Sequence, residues 1–445
     1  MGQLRLGLAR LRTRGGFAVL AALVILLAMV FGPAARYLNF KNPDDSAAML
    51  GARATSVDYH DIYISLESKR SLADTFDWWH ASWVVTRNTF WRPLTMQAWW
   101  IESRAFGEFR THNWMRASVV LYALYGALFA AFVARLTRRR SLALLSLGLF
   151  MLPHGFLGPV AAHFWPGFQE PAANRLIIQW LDQPDLWANC LTLGSLLLAL
   201  HERWVGALLC AVLAVCFKES GWLTFPDLVI VLWLNGSLAR VPKWVYPATG
   251  SAILALVALR WSAGPEVFRG YSMGTNANWS IRYYHGVSSM ALDELERPGV
   301  WLLAASIYGL ARWRPRSLTL GAGMLLAAIG VSSSLIALQS GVRLDVGFAM
   351  LIEDWMSPVA LAMWLTSFVL LWRSPLRKWA VAFVALGLLA ALPYAAATQA
   401  RIHVLTMSAM FQAVLGACMV LALAESAIGR LPALARQQAT PIASS

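Results

Sequence analysis

The sequence predicts an all-α polytopic membrane protein with about twelve membrane-spanning helices, and three observations carry that expectation. The first is composition: of 445 residues, 58% are hydrophobic and 13% charged, whereas soluble domains carry about 25% charged residues. The second is that the apolar residues come in uninterrupted runs. Residues 17–29, 119–133, 318–338 and 381–397 hold no charged side chain over most or all of the length a bilayer requires. The third is where the basic residues fall. With the N-terminus in the cytoplasm and each run threaded in turn, Arg5, Arg10, Arg12, Arg14, Arg135, Arg138, Arg139, Arg140, Arg203, Arg240, Lys243, Arg312, Arg314, Arg316, Arg373, Arg377, Lys378, Arg430 and Arg436 lie inside, where Glu202 and Glu425 are the only acids. This positive-inside pattern accounts for the formal net charge of +14. It leaves a nucleic-acid partner nothing to explain, and it places nearly all the carboxylates on the outer face.

In chain order, spans are expected near 17–35, 115–136, 141–160, 186–201, 204–217, 220–235, 244–262, 299–312, 317–339, 355–372, 378–397 and 404–428. The first follows a basic flank and reaches Ala35; Pro33-Ala34-Ala35 is a weak cleavage signal, so the segment reads as an uncleaved span. A long outer loop, 36–114, comes next. Within it, 72–79 and 94–101 mix apolar and polar residues at helical spacing and carry paired tryptophans, which places them as helices lying on the membrane surface. Further outer segments are 160–185, 264–298 and 340–354, and the inner loops are short and basic. An even count puts both termini in the cytoplasm of a multi-pass cell-membrane protein. The chain divides into an N-terminal module, 1–235, which includes the first outer loop, and C-terminal transmembrane helices, 236–445. Cys190, Cys210, Cys216 and Cys418 fall inside apolar runs without paired metal-ligand spacing and read as packing residues.

The chemistry concentrates in the outer segments. Asp58 and Asp61 flank His60 and precede the apolar Ile62-Tyr63-Ile64, so their carboxylates sit where a polar loop returns to a packed surface. Partial burial there raises a carboxylate's pKa and strengthens it as a base. Asp44-Asp45 forms an earlier acidic pair. Arg92, in Phe90-Trp91-Arg92-Pro93-Leu94-Thr95, has an aromatic setting in which a guanidinium stacks while its fork grips a phosphate; the competing reading is snorkelling without a ligand. His112-Asn113 opens the second span. Lys218-Glu219-Ser220-Gly221 forms a tight turn between two apolar runs, where an ion pair or a ligand is needed to offset the cost of charge at membrane depth. His154 and His163 are too far apart, with Gly155, Gly158 and Pro159 between them, to match a two-histidine metal motif on one helix. Asp182 and Asp185 open the fourth span, where acids favour the helix dipole without needing a function.

These residues together resemble the polytopic glycosyltransferases of the GT-C fold, in particular the bacterial relatives of protein O-mannosyltransferases. The resemblance is carried by an acid in the first outer loop, the Phe90 to Thr95 element, Phe106-Gly107, His112-Asn113 and the Lys218-Glu219 turn ahead of Pro226, over roughly residues 15–235. Two departures stand out. Gln183-Pro184-Asp185-Leu186 keeps the Asp-Leu of a family element but not its arginine. The second half offers Ile352-Glu353-Asp354-Trp355 in place of a Glu-Arg-Tyr stretch, with Arg343 near enough to substitute.

The resemblance implies transfer of a sugar from a polyprenyl-phosphate donor to an acceptor hydroxyl of a protein, glycan or lipid on the outer face. Asp61, or alternatively Asp58 or Asp45, would be the base. Arg92, His112, Lys218, Glu219, His163 and Arg343 would bind the donor phosphate or substrate. It requires no nucleotide-sugar fingerprint. It leaves a divalent metal ion open, since enzymes of this fold differ in using one. Two other function classes compete: a transporter or flippase for a lipid-linked or anionic substrate, which calls for ionisable groups deep in several spans, and an O-antigen ligase or polymerase, which would use Arg269, Arg282, His285 and Arg297 of loop 264–298.

Overall fold

A computed structural model of the chain describes residues 14–31, 57–82, 84, 90–107, 112–151, 183–264, 371, 374–391 and, near the C-terminus, 407, 410–411, 413–418 and 421–422. The described residues form helices and turns, with no strand among them. In chain order the α-helices are α1 (Arg14–Phe31), α2 (Val57–Glu67), α3 (Pro93–Phe106), α4 (His112–Thr137), α5 (Arg140–Met151), α6 (Gln183–Leu200), α7 (Trp204–Phe217), α8 (Thr224–Leu234), α9 (Val245–Ser262) and α10 (Arg377–Ala391). Short 3-10 segments occupy Ala73–Trp79, Glu219–Leu223 and Leu238–Arg240. The expected spans at 299–312, 317–339 and most of 355–372 lie outside the described residues.

Local sequence sets several boundaries. Pro93 starts α3, where its missing N–H belongs to the unpaired first turn, and Gly107 ends it at φ +78°, the left-handed cap that glycine takes without penalty. The expected span 220–235 instead divides into a 3-10 turn and the shorter α8. Pro226 is tolerated only within a first helical turn, so the α-helix begins at Thr224.

The core joins α4, α5 and α6 to α10 and to residues 410–411 and 413–418, with Phe129, Phe132, Phe150, Leu193, Phe383 and Phe411 among its members. Phe150 receives Tyr125 edge-on at 5.6 Å, and Phe132 meets Phe383 at 6.3 Å. Helices from both sides of residue 235 therefore share one core. Helices α6 and α7 pack closely through small residues: Ala199, Ala207, Ala211 and Ala214 are buried, and Ser195 Oγ donates to the Ala207 carbonyl at 2.7 Å.

The bundle has two chemically distinct ends. At one, Arg135 donates to the Leu200 carbonyl at 3.1 Å, Arg240 pairs with Glu202 at 3.3 Å, and Lys378 donates to the Leu234 carbonyl. The tight α4–α5 and α6–α7 turns at this end put Arg138 and Glu202 at positive φ. The opposite end gathers the starts of α4, α6 and α8, the end of α7 and the loop helices α2 and α3. These loop helices pack on each other and on Trp114 of α4 through Ile62, Leu66, Met96 and Trp99. Trp78 Nε1 donates to Ser65 Oγ at 3.1 Å, and Trp100 Nε1 donates to the Lys69 carbonyl at 3.0 Å, folding the intervening segment onto α3.

Among the described residues, one stretch, Arg116–Thr137, is long and apolar enough to cross a membrane by itself; Gly15–Leu27, Arg140–Met151 and Trp204–Phe217 are apolar but shorter.

Gly221 is fixed by a close approach. A Cβ there would lie 2.3 Å from the Ala214 carbonyl carbon and 2.4 Å from the Val215 nitrogen, both backbone atoms that cannot yield as a side chain does. Gly221→Ala is expected to cost about 3 kcal/mol or more, read as a lowered thermal midpoint in detergent. Gly250→Ala, where nothing lies within 4 Å, is the matched control and should leave the midpoint unchanged or raise it.

Candidate functional site

The site forms where the start of α3 meets the turn between α7 and α8. Arg92, the residue ahead of α3, sends Nε and Nη2 to the same oxygen of Glu219, Oε2, at 2.9 and 2.7 Å across 127 residues of sequence. Its guanidinium stands 4.0 Å from the centre of the Phe90 ring. Thr95, one turn into α3, clamps the two segments together by donating to the Phe217 carbonyl at 2.6 Å. The motif around Arg92 and the turn around Glu219 thus become a single structure.

Lys218 ends α7 in extended conformation and turns inward, pairing its ammonium with Asp185 in the first turn of α6. The side chains are 4% and 7% exposed, so both charges are out of water and each depends on the other. The Arg92–Glu219 pair is more open, with side chains 9% and 21% exposed. Arg260, on the last turn of α9, lies close enough for its charge to interact with both Glu219 and Arg92. Burial pushes the Glu219 carboxyl up, but the charge and hydrogen bonds of Arg92 outweigh it, so the group stays below the usual carboxylate range and ionised. Its other oxygen, Oε1, is buried and accepts no hydrogen bond among the described residues.

Aromatic side chains wall the cluster. Trp91, Val215 and Leu256 form an apolar patch with Trp79, Trp222 and Phe225 packed against it. Trp79 meets Trp91 edge-on at 6.1 Å, and Trp91 Nε1 donates to the Trp79 carbonyl at 3.0 Å. Trp187 stacks on Phe217 at 5.4 Å beside the Lys218–Asp185 pair.

A second polar knot fastens the loop helices to the bundle. Gln183, fully buried at the start of α6, accepts from Trp99 Nε1 at 3.1 Å and donates to Ser118 Oγ at 3.1 Å and to the Trp114 carbonyl at 3.3 Å. Glu102 of α3 borders it. Burial pushes the Glu102 carboxyl up to about 7, against a smaller opposing effect of the neighbouring Gln183 amide. An acid raised in the folded state binds its proton more tightly there than in the unfolded chain. Stability is therefore expected to fall as pH rises from about 4.5 through 7. Glu102→Gln should flatten that fall, by on the order of 3 kcal/mol at pH 8, measured as thermal midpoint against pH.

The residues singled out from sequence are distributed as follows. Arg92, Lys218 and Glu219 come together. Asp61 lies on α2, which packs on the helix that Arg92 precedes, and its Oδ2 is buried without a hydrogen bond among the described residues. Asp58 is on the same helix, and His112 is the first residue of α4; their side chains, and Asp45, His163 and Arg343 entirely, lie outside the described residues. Among the described residues no three His, Cys, Asp or Glu side chains are grouped to hold a metal ion.

Sequence reasoning missed the role of Asp185, taken as a helix-start acid, and the contribution of Thr95, Glu102 and Gln183. An acid directly at the mouth of an apolar span was the available signal for Asp185, since such a group needs a cation once it is buried. The chain matches no family model, no curated protein and no solved structure. The glycosyltransferase resemblance therefore rests on the residues themselves.

Proposed function

We propose that this protein is a polytopic, GT-C-like membrane glycosyltransferase that moves a sugar from a polyprenyl-phosphate donor to an acceptor hydroxyl on the outer face of the cell membrane. The observation that carries the reading is the Arg92–Glu219 pair, which unites the two motifs of the resemblance at the bundle end opposite the basic turns. A membrane setting is supported by large apolar side chains exposed along the bundle, including Val19, Val120, Val205, Leu209, Val229 and Leu254. With the basic end inside, the charged cluster and the loop helices face outward.

In the reaction, the acceptor oxygen attacks the anomeric carbon. The bond from that carbon to the phosphate oxygen breaks, and its electron pair stays on the phosphate. The acceptor proton passes to a carboxylate of the first outer loop, Asp61 by preference, with Asp58 and Asp45 as the alternatives. Phosphate leaves without protonation, so one basic carboxylate suffices where a glycosidase uses two. In this reading Arg92 stabilises charge developing on the departing phosphate, and Lys218 holds the turn that carries Glu219.

The test is transfer of labelled sugar from polyprenyl-phosphate hexoses by the purified protein. Wild-type rates in Asp61→Asn, Asp58→Asn and Asp45→Asn alike would sink this mechanism. A second reading, a carrier of lipid-linked or anionic substrates, is favoured by Asp227, which is 2% exposed within α8 and leaves Oδ1 without a hydrogen bond among the described residues. Substrate counterflow in proteoliposomes would establish it.

A further inference from the structure

We infer that Oε1 of Glu219 is the acceptor for a ring hydroxyl of the transferred sugar, which makes Glu219 a specificity-determining residue. The inference rests on the proposed glycosyl-transfer reading and deepens it.

Three features lead there. Both guanidinium donors from Arg92 go to Oε2, which leaves Oε1 buried and accepting nothing among the described residues. A buried carboxylate oxygen without a donor is costly, and a ligand hydroxyl that reaches it displaces no existing hydrogen bond. The carboxylate is held ionised by Arg92, so it suits recognition, accepting a hydrogen bond without removing the proton. The Glu219 side chain is 21% exposed while Oε1 itself is covered, so a hydroxyl reaches Oε1 by a shift of this half-open side chain, whereas Lys218 and Asp185 are 4% and 7% exposed.

The surroundings favour a sugar over a simple alcohol. Trp222 and Phe225, 6.2 Å apart and tilted by 43°, belong to the apolar cluster beside this turn. A pyranose presents C–H faces suited to aromatic surfaces and equatorial hydroxyls suited to a carboxylate. The Arg92–Glu219 unit would then contact a glycosyl phosphate on both sides of the scissile bond.

The experiment measures binding of soluble probes to the full-length protein in detergent by tryptophan fluorescence: dodecyl phosphate, dodecyl hexosyl phosphates, and the same hexosyl phosphates lacking one hydroxyl at a time. In the wild type the hexosyl compound is expected to bind at least about tenfold more tightly than dodecyl phosphate, and one deoxy analogue should lose most of that gain, the worth of a single charge-assisted hydrogen bond. Glu219→Gln should lose the same gain without weakening dodecyl phosphate. The deoxy series identifies the hydroxyl and Glu219→Gln its acceptor; where Glu219→Gln fails to fold, Glu219→Asp, which keeps the charge but withdraws the oxygen, takes its place, and a hexosyl gain kept in that variant overturns the inference. Binding of dodecyl phosphate with no hexosyl preference, or a preference untouched by every deoxy position and by Glu219→Gln, overturns the inference and leaves the glycosyl-transfer reading standing. Failure of the wild type to bind either probe overturns both.

Discussion

Arg92→Ala is expected to abolish sugar transfer and to destabilise the protein. The activity loss should be about 10²–10³-fold, the usual cost of removing one preorganised donor from a developing negative charge. The stability loss has a different origin. Glu219 is kept ionised chiefly by Arg92, and without it the partly buried carboxylate loses both hydrogen bonds to Oε2 and keeps the smaller influence of the Arg260 charge, a loss of about 3–5 kcal/mol for a buried pair and somewhat less here because the pair is partly exposed. Arg92→Lys should rescue little, since a single ammonium does not reproduce two guanidinium N–H contacts together with the planar stacking on Phe90. The combined Arg92→Leu, Glu219→Leu protein separates the two roles. Its thermal midpoint is expected to recover while transfer stays lost. Recovery of transfer in that double variant would remove Arg92 from the chemistry.

Asp185→Leu should be the most destabilising single change in this part of the molecule. It removes the carboxylate that pairs with the Lys218 ammonium, which is 4% exposed and sits beside the positively polarised start of α6. The expected loss is about 3–5 kcal/mol, seen as a lowered thermal midpoint and aggregation on size exclusion. Lys218→Met strands the carboxylate instead, but the same helix start favours a negative charge, so this loss should be the smaller of the two. Replacing both, with Lys218→Met and Asp185→Leu together, should restore most of the stability, because an apolar pair avoids the desolvation that both charges suffer. A double variant no more stable than Asp185→Leu alone would show that the pair is not an independent unit, and that the Glu219 turn depends on the charges themselves.

Much of the helical layout was legible because an apolar run of span length has few alternatives. The expected segment 204–217 coincides with α7, and 244–262 differs from α9 by one residue. The segments 72–79 and 94–101 correspond in position to the 3-10 segment and to α3, since apolar and polar residues at helical spacing already specify one buried face, but Trp78 and Trp99 are buried with their N–H groups on Ser65 and Gln183. Arg92 stood out for its aromatic setting, and Lys218 and Glu219 because charge in a tight turn between two apolar runs demands an explanation.

The pairing did not follow from the sequence. Lys218 and Glu219 are adjacent and opposite in charge, and the sequence leaves an ion pair or a ligand as the two readings of the turn. The extended backbone at Lys218 instead sends the two side chains to different partners, one inward to Asp185 and the other to Arg92. Composition and periodicity determined by themselves that the described residues are helical and that charged side chains concentrate in a few polar segments. Only the tertiary structure decided which of those segments meet, because contacts across 33 and 127 residues depend on how helices pack, and that packing is written in shape complementarity, not in any local pattern.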